Sequence, residues 1–466
     1  MDREFDVVVI GAGPAGEVLA GRLRERGDLR VALVERELVG GECSFYACMP
    51  SKSLLRPAEA LREARRIPGA AQAAAGELDV QAVLDRRDEV IHNLSDESQL
   101  PWLEDRGIKL VRGEARLDGE RRVRVGDDVL LAREAVVLAV GSDPLFPPIP
   151  GLAEAGAWSN RQITTSDAVP PRLLVLGGGV VGVEMAQAWS SLGSRVTLIE
   201  ALDRLLAREE PFAGELVGGG LRSAGTEIHL ASRAAGVRRA GKEVTVELES
   251  GASVTGTHLL VAIGRTPRTA GLGLESVGLE PDGFLEVDDH LQVSGHPWLY
   301  AIGDVNGRSL LTHSGKYQAR IAADRILGRP AVATRDRDGA APRVVFTDPQ
   351  VAAVGLTLEQ ARERGMAAIP IDLETEATAG GSFYGRGADG RTRFVVDSSR
   401  EILVGVTFVG PEVADLLQAA TIAVAGEVPV SRLAHAIAPF PTRSELWLQF
   451  VEAYERHRSA SMHAGG

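Results

Sequence analysis

The two cysteines of the chain, Cys43 and Cys48, lie five positions apart among 466 residues. A chain that has so few thiols and places them together uses them for chemistry. In a regular α-helix, Cα atoms at positions i and i+5 are roughly 8.6 Å apart, whereas a disulfide needs them within about 7 Å. Gly40, Gly41 and Pro50 favour an irregular turn in which the two thiols can meet. The sequence therefore predicts a redox-active pair, with two unlinked buried cysteines as the alternative.

A glycine-rich turn, Gly11-Ala-Gly13-Pro-Ala-Gly16, lies between a buried strand and a helix near the start of the chain. A second strand, over residues 31–35, ends in Glu35. In this order the glycines allow a pyrophosphate to approach the helix N-terminus, and the acid accepts a hydrogen bond from a ribose hydroxyl. The pattern predicts a dinucleotide site built from these glycines and the acid.

The same pattern occurs a second time in the middle of the chain. Its second strand ends in Glu200, and its turn contains the three glycines Gly177, Gly179 and Gly182. Two such patterns predict two bound nucleotides, and Glu200 favours the free 2′-hydroxyl of NAD over a 2′-phosphate. Arg195 and Arg204 lie nearby in the sequence, however, so NADP(H) stays an alternative.

The segment around the cysteines reads Gly-Gly-x-Cys-x4-Cys-x-Pro-Ser-Lys from Gly40 to Lys52. It resembles the redox-active segment of the class I flavoprotein disulfide reductases, which include lipoamide dehydrogenase, glutathione reductase and mercuric reductase. The resemblance implies that Cys43 is the outer, substrate-attacking thiol and Cys48 the inner thiol, in contact with a flavin. It also implies that Lys52 lies near the reactive nitrogen of the flavin and pairs with Glu184. Because a redox disulfide must touch the flavin and this one follows the first glycine-rich turn, the first site is expected to bind FAD and the second NAD(H).

Further positions match the same family along most of the chain. Gly141 corresponds to a turn beneath the flavin domain, although Val140 stands where threonine is usual. Asp304, after Gly303, corresponds to the aspartate that accepts a hydrogen bond from the ribityl chain of the flavin. The helix that follows is expected to point its N-terminus at the flavin. The resemblance therefore adds these cofactor-binding positions: Gly41, Gly264, Arg265, Thr312 and His313.

The resemblance fails at one position that carries chemistry. The C-terminal segment of the family reads His-Pro-Thr-x-x-Glu, whereas this chain has Phe440 in place of the histidine and retains Glu445. In the family that histidine is the general acid and base for the outer thiol, and the glutamate orients it. A phenylalanine cannot transfer a proton. His435 lies five residues upstream and is expected to project elsewhere.

Composition and charge restrict the class of protein. The net charge of −13 argues against nucleic acid as a partner. The sequence contains no apolar run of the ~20 residues that a membrane helix needs. We expect a strand at its start and no signal peptide, and its nine histidines show no metal-ligand spacing. We therefore expect a cytoplasmic protein without a metal site.

The expected fold is α/β, with two Rossmann-like nucleotide-binding domains and a C-terminal α+β dimerisation domain. The expected boundaries are 1–150 and 271–340 for the two parts of the FAD-binding domain, 151–270 for the NAD(P)H-binding domain, 341–455 for the interface domain and 456–466 for a flexible tail. The resemblance implies a homodimer in which each interface domain completes the active site of the partner.

The predicted reaction passes hydride equivalents from NADH through FAD to the Cys43–Cys48 disulfide. A small acceptor of the thiol/disulfide or thioether type is then reduced at its S–S or C–S bond, without the usual histidine acid. Low thiol pKa values are expected beside a helix N-terminus and the cofactor. Three alternatives stay open: C–S bond cleavage like that of 2-ketopropyl coenzyme M oxidoreductase/carboxylase, an NADH:quinone or dye reductase that works directly from the flavin, and a non-catalytic redox-sensing partner protein.

Overall fold

The computed structural model describes residues 2–337 and 339–464 and contains two compact units. The first unit contains Met1–Pro50, Asp85–Leu145 and Gly264–Arg337. The second unit contains Ser51–Leu84, Phe146–Ile263 and Asp338–Gly466. Each unit therefore joins segments that are far apart in the sequence.

Strands and helices alternate through much of the chain, as is typical of an α/β protein. The strands are β1 (Asp2–Ile10), β2 (Val31–Glu35), β3 (Lys109–Arg112), β4 (Ala115–Leu117), β5 (Arg122–Val125), β6 (Asp128–Leu138), β7 (Ser142–Pro144), β8 (Arg172–Leu176), β9 (Arg195–Ile199), β10 (Glu227–His229), β11 (Ala234–Ala240), β12 (Glu243–Leu248), β13 (Ser253–Gly256), β14 (His258–Val261), β15 (Arg265–Pro267), β16 (Gln292–Val293), β17 (His296–Ala301), β18 (Arg343–Val345), β19 (Gln350–Gly355), β20 (Ala368–Glu374), β21 (Arg391–Asp397) and β22 (Ile402–Gly410). The α-helices are α1 (Pro14–Arg26), α2 (Gly41–Phe45), α3 (Cys48–Arg66), α4 (Ala70–Ala73), α5 (Val80–Val90), α6 (Leu100–Asp105), α7 (Asn160–Thr165), α8 (Val180–Ser191), α9 (Pro211–Ser223), α10 (Thr312–Ile326), α11 (Leu358–Glu363), α12 (Leu417–Ala425), α13 (Val430–Leu433) and α14 (Leu446–Ala464).

A largely parallel sheet forms the centre of the first unit. Its strand order is β16-β17-β6-β1-β2-β3, and β1 runs parallel to both β2 and β6. Val7, Val8 and Val9 of β1 are fully buried, as expected for a central strand that is covered on both faces. Helices α1 and α10 pack together on one of these faces. Helix α1 follows the first glycine-rich turn and α10 begins at Thr312, so two helices that start at predicted cofactor-binding positions share one core.

The second unit contains three sheets. A parallel sheet has the order β10-β9-β8-β14, an antiparallel ribbon is formed by β11-β12-β13, and a C-terminal antiparallel sheet has the order β18-β19-β22-β21-β20. Leu54 and Leu55 of α3 lie in the same apolar cluster as Val183 of α8 and Val345 of β18. Within this unit, α3 therefore packs against both the second nucleotide fold and the C-terminal sheet.

The predicted α/β class, with two nucleotide folds and a C-terminal α+β domain, is confirmed. The domain boundaries stay a prediction. The last helix, α14, continues through Ala464, so residues 456–464 of the expected tail are helical. Small and polar residues do not end a helix when neither glycine nor proline interrupts it. Gly465 and Gly466 lie outside the described residues.

Among the residues that the structure describes, no helix is both long and apolar enough to cross a membrane.

Candidate active site

The two cysteines lie on either side of a helix break. Helix α2 ends at Phe45, Tyr46 has φ −132° and ψ 0°, and α3 starts at Cys48. This break supplies the irregular turn that a thiol pair at this spacing requires. Cys43 and Cys48 are not joined by a disulfide, and their thiols lie within hydrogen-bonding distance of each other. The structure therefore shows the pair together, in the dithiol form.

The environment of the Cys43 thiol acts on its pKa in two directions. The hydrogen bond with Cys48 raises this pKa above the ordinary range, and burial adds to the effect. The expectation of a low pKa is therefore wrong for Cys43 in the dithiol. A hydrogen bond with Thr312 and the positive charge of Lys316 lower the pKa. Both residues belong to the first turns of α10, so this helix favours the thiolate.

The first residue of α10 contacts the inner thiol. Thr312 Oγ1 lies 3.4 Å from Cys48 Sγ. Leu311 is the N-cap residue and provides no side-chain cap, so the Thr312 hydroxyl lies inside the helix and faces the thiol instead of closing the helix end. His313, the next residue, is exposed. The structure thus places Thr312 at the thiol pair and leaves the His313 side chain at the surface.

The first glycine-rich turn leaves room for a ligand on one side only. Gly11 has φ 102°, and a Cβ there would lie 2.4 Å from the carbonyl oxygen of Ala139. At Gly13, in contrast, no atom lies within 4 Å of the Cβ position. Glu35 Oε2 accepts a hydrogen bond from the Ala12 N–H at 2.8 Å. This acid is therefore fixed beside the open side of the turn, as a nucleotide site requires.

On two other sides, the first glycine-rich turn is in close contact with backbone at glycine positions. A Cβ at Gly16 would lie 2.0 Å from the carbonyl oxygen of Gly11. A Cβ at Gly41 would lie 2.8 Å from Gly13 Cα. The loop before the cysteines therefore approaches the first glycine-rich turn so closely that a side chain would separate them.

A hydrogen-bonded cluster surrounds the predicted ribityl-binding aspartate. The Ser142 hydroxyl donates to Asp304 Oδ2 at 2.6 Å. Arg265 Nε donates to the same hydroxyl at 2.6 Å and lies 3.7 Å from Asp304 Oδ2. Within the described part of the chain, Asp304 Oδ1 accepts no hydrogen bond. This oxygen is therefore available to accept a hydrogen bond from a ribityl hydroxyl.

The residues of the first unit fit FAD. Gly13 and Gly141 have open space at their Cβ positions, Glu35 is fixed for a ribose, and Asp304 retains a free acceptor oxygen. Gly141 and Gly303 both have φ 75°, at turns that follow β6 and β17. The carboxyl ends of parallel strands carry these groups, which is where nucleotides bind in such folds.

The second glycine-rich turn repeats the geometry of the first. Gly177 has φ 111°, and a Cβ there would lie 2.5 Å from the carbonyl oxygen of Ala262. A Cβ at Gly182 would lie 1.9 Å from the Gly177 carbonyl oxygen, whereas the Cβ position of Gly179 is open. Glu200 Oε2 accepts from the Gly178 N–H at 2.5 Å. The chain thus fixes both acids on the backbone of their own turns.

Neither nearby arginine contacts Glu200 among the described residues. Arg195 is the first residue of β9 and Glu200 follows the last, so they lie at opposite ends of this strand. Arg204 donates from Nη2 to the carbonyl oxygen of Ala207 at 3.0 Å. Among the described residues, Glu200 therefore lies beside the second turn without an ion pair to either arginine. Gly264, with φ 154°, and Arg265 belong instead to the first unit.

Lys52 and Glu184 form the predicted ion pair. Lys52 Nζ lies 2.7 Å from Glu184 Oε2, and the Glu184 side chain is only 3% exposed. The backbone N–H of Phe346 donates to the other oxygen, Glu184 Oε1, at 2.9 Å. A buried charge is tolerated when its partners satisfy it, and here each carboxylate oxygen has a donor.

The C-terminal segment presents Phe440 to solvent, where its side chain is 77% exposed. Glu445 lies in the short turn Arg443–Glu445, and its Oε2 atom is buried without a hydrogen-bond donor among the described residues. His435 is exposed, and its ring makes no hydrogen bond in the described part of the chain. Within one chain, Glu445 therefore has no imidazole partner among the described residues.

The sequence matches family models in two blocks. Residues 5–323 match the model described as pyridine nucleotide-disulphide oxidoreductase, and residues 341–450 match its dimerisation domain. The chain belongs to this family. The family consists of FAD-dependent enzymes that use NAD(P)H. The predicted family, enzyme class and cofactors are therefore confirmed at this level.

Several relatives cover nearly the whole chain. A dihydrolipoyl dehydrogenase of Thermus scotoductus is 34% identical over 463 residues, which cover 97% of this chain and 98% of the relative. A mercuric reductase of Staphylococcus aureus is 30% identical over 455 residues, covering 95% of this chain and 81% of the relative. The structure of the HOCl-induced flavoprotein disulfide reductase RclA from Escherichia coli, as its Cu(II) complex, matches with a TM-score of 0.84 and a sequence identity of 27%. The match covers 97% of this chain and 99% of that chain.

Sequence reasoning missed several residues of the site. Ser142 and Phe346 give no signal in the sequence, because each acts through a partner that is distant along the chain. Lys316 could have been found, since it lies one turn after Thr312 on the same helix face.

Glu17, in the first turn of α1, is half-buried, and burial raises its pKa to about 7. The charge of Lys316 lowers this pKa and that of Glu35 raises it.

Proposed function

We propose that the chain is an NADH-dependent flavoenzyme that reduces a disulfide-type acceptor through Cys43 and Cys48, without a histidine acid. The observation that carries the proposal is the thiol pair itself: two free thiols in contact, with Cys48 against Thr312 at the start of α10. The same unit contains the first glycine-rich turn and Asp304. Phe440, with no imidazole partner for Glu445 among the described residues, supports the absence of the usual proton donor.

Each residue has a separate part in this proposal. FAD, when bound, supplies the electron pair that it accepts from NADH. The Cys43 thiolate attacks one sulfur of the acceptor disulfide, so that a mixed disulfide forms and one thiolate leaves. Cys48 then attacks Cys43, which releases the second thiolate and restores the Cys43–Cys48 disulfide. Two electrons and two protons are consumed in each cycle, and Thr312 and Lys316 favour the thiolate that attacks.

The experiment that tests this proposal compares the Cys43→Ser and Cys48→Ser variants of the FAD-loaded enzyme under anaerobic NADH titration. Cys43→Ser is expected to retain a thiolate–flavin charge-transfer absorbance from Cys48, and Cys48→Ser is expected to lose it. Both variants should lose disulfide reduction. A Cys43→Ser variant that reduces every acceptor at the wild-type rate would refute the dithiol route and favour direct reduction by the flavin.

A metal ion is a second candidate acceptor. The structural relative RclA is described as a Cu(II) complex, and mercuric reductases are among the relatives in sequence. Two Cu(II) ions can each take one electron from the two thiols, giving two Cu(I) ions, one disulfide and two protons. This route releases protons and needs no acid, so Phe440 does not impair it. Cu(II) reduction that depends on Cys43, alongside negligible disulfide reduction, would favour this candidate.

We also propose that the enzyme acts as a homodimer. The match of residues 341–450 to a dimerisation domain supports this proposal. In such a dimer, the exposed Phe440 would face the thiol pair of the partner, as the family resemblance implies.

A further inference from the structure

One residue contacts both members of the Lys52–Glu184 ion pair. The backbone N–H of Phe346 donates to Glu184 Oε1 at 2.9 Å. The ring of Phe346 faces the cation, with its centroid 4.9 Å from Lys52 Nζ. A cation within about 6 Å of an aromatic face is attracted by the ring. Phe346 therefore binds the anion through its backbone and the cation through its side chain.

The segment that carries Phe346 is held by two helices of the second unit. The Asp348 N–H donates to Gln187 Oε1 of α8 at 2.8 Å. The Asp348 carboxylate accepts hydrogen bonds from Arg62, at 2.8 Å, and from Arg66, both on α3. Since α8 carries Glu184 and α3 carries Lys52, the Phe346 segment is anchored to the same two helices as the ion pair. Its position relative to the pair is therefore fixed.

We infer that Phe346 is a positioning residue for Lys52. Its N–H fixes the orientation of the Glu184 carboxylate, and its ring restricts the position of the Lys52 ammonium group. Phe346 lies within residues 341–450, which match the dimerisation domain. The region that matches the dimerisation domain would then also position the charged side chain of Lys52, in addition to forming the dimer. This inference rests on the proposed function and on the family resemblance, which implies that Lys52 lies near the flavin.

The test compares Phe346→Leu, which keeps the N–H and removes the ring, with Phe346→Tyr, which keeps both. Two properties of the FAD-loaded enzyme are measured. One is the single-turnover rate of flavin reduction by NADH, and the other is the acylation rate of Lys52 relative to the exposed Lys242, by peptide mass spectrometry. A cation–π contact of 0.5–2 kcal/mol corresponds to about 2–30-fold. We expect Phe346→Leu to slow flavin reduction and speed Lys52 acylation by about fivefold, with Phe346→Tyr within about twofold of wild type.

Phe212→Leu is the matched control, because the Phe212 ring faces Arg391 at 5.0 Å in the same unit, and among the described residues the ring that faces Lys52 is that of Phe346. It should change neither property. Unchanged Lys52 acylation in Phe346→Leu would overturn the inference. If Phe346→Leu does not fold, Gln187→Leu, which removes the acceptor for the Asp348 N–H, is measured with the same expected changes. A wild-type flavin that NADH does not reduce would refute the proposed function, while the acylation rates would still decide the role of Phe346.

Discussion

At the scale of single residues, Phe440 lies where the family resemblance implies a histidine. A positioned acid–base group contributes about 10²–10⁴-fold to a reaction of this kind, and the phenyl ring contributes none of it. The buried Glu445 Oε2 lacks a donor among the described residues. We therefore predict low activity of the wild type with lipoamide or glutathione disulfide. Phe440→His should raise this activity by at least about tenfold, measured as NADH oxidation with each disulfide.

The control for this prediction is the double variant Phe440→His with Glu445→Gln. If the new imidazole works through Glu445, the double variant should lose most of the gain. Lipoamide reduction by the wild type at a rate that Phe440→His leaves unchanged would show that another group supplies the proton, and His435 would be the first to replace.

A second prediction at this scale concerns Glu17. Burial raises its pKa from 4.5 to about 7, so folding favours the protonated carboxyl. The folded protein is therefore most favoured below pH 4.5 as far as Glu17 is concerned, and this contribution is lost as the pH rises through 7. Glu17→Gln should raise the Tm relative to wild type more at pH 8 than at pH 5, and the corresponding gain in the free energy of unfolding is at most about 3 kcal/mol. Glu77→Gln, at an exposed position, should give the same difference at both pH values.

At the scale of elements, each βαβ unit fixes its acid in the same way, on a backbone N–H of its own glycine-rich turn. In the second unit, Glu200 follows β9 and its carboxylate lies beside Gly178, the residue before the open Gly179. Its carboxylate can accept from a ribose 2′-hydroxyl and repels a 2′-phosphate. We therefore expect the charge of Glu200 to favour NADH over NADPH.

We predict that Glu200→Ser lowers the ratio of kcat/KM for NADH to that for NADPH by about tenfold or more. Arg204→Ala should leave the ratio within about twofold of wild type, because this guanidinium is bound to the Ala207 carbonyl oxygen. Steady-state kinetics with both nucleotides measure the ratio. A wild-type preference for NADPH would contradict the argument from Glu200.

At the scale of the whole molecule, large apolar side chains are exposed on the C-terminal domain. They are Phe383, Ile422, Ile437, Phe440 and Leu448, and Ile437 is 95% exposed. We expect these side chains to contribute to an interaction surface, because they lie within the match to a dimerisation domain. We predict that the wild type sediments as a dimer and that Ile422→Glu combined with Leu448→Glu shifts it towards monomer. Val332→Glu, at an exposed apolar position outside this domain, should have no effect. A wild type that sediments as a monomer would contradict the prediction.

The sequence by itself determined the local units of this protein. The glycine spacing, the acids at the strand ends and the cysteine pair follow from neighbouring residues, because a strand–turn–helix unit is set by short-range sterics and hydrogen bonds. The Lys52–Glu184 pair also followed, but only through the family resemblance. In the first unit, only the tertiary structure decided that Thr312 meets Cys48 across 264 positions and that Ser142 holds Asp304. In the second unit, it alone placed Phe346 on Lys52 and Glu184. Such contacts join residues that are far apart in the sequence. Their spacing along the chain therefore does not predict which of them meet in the folded protein.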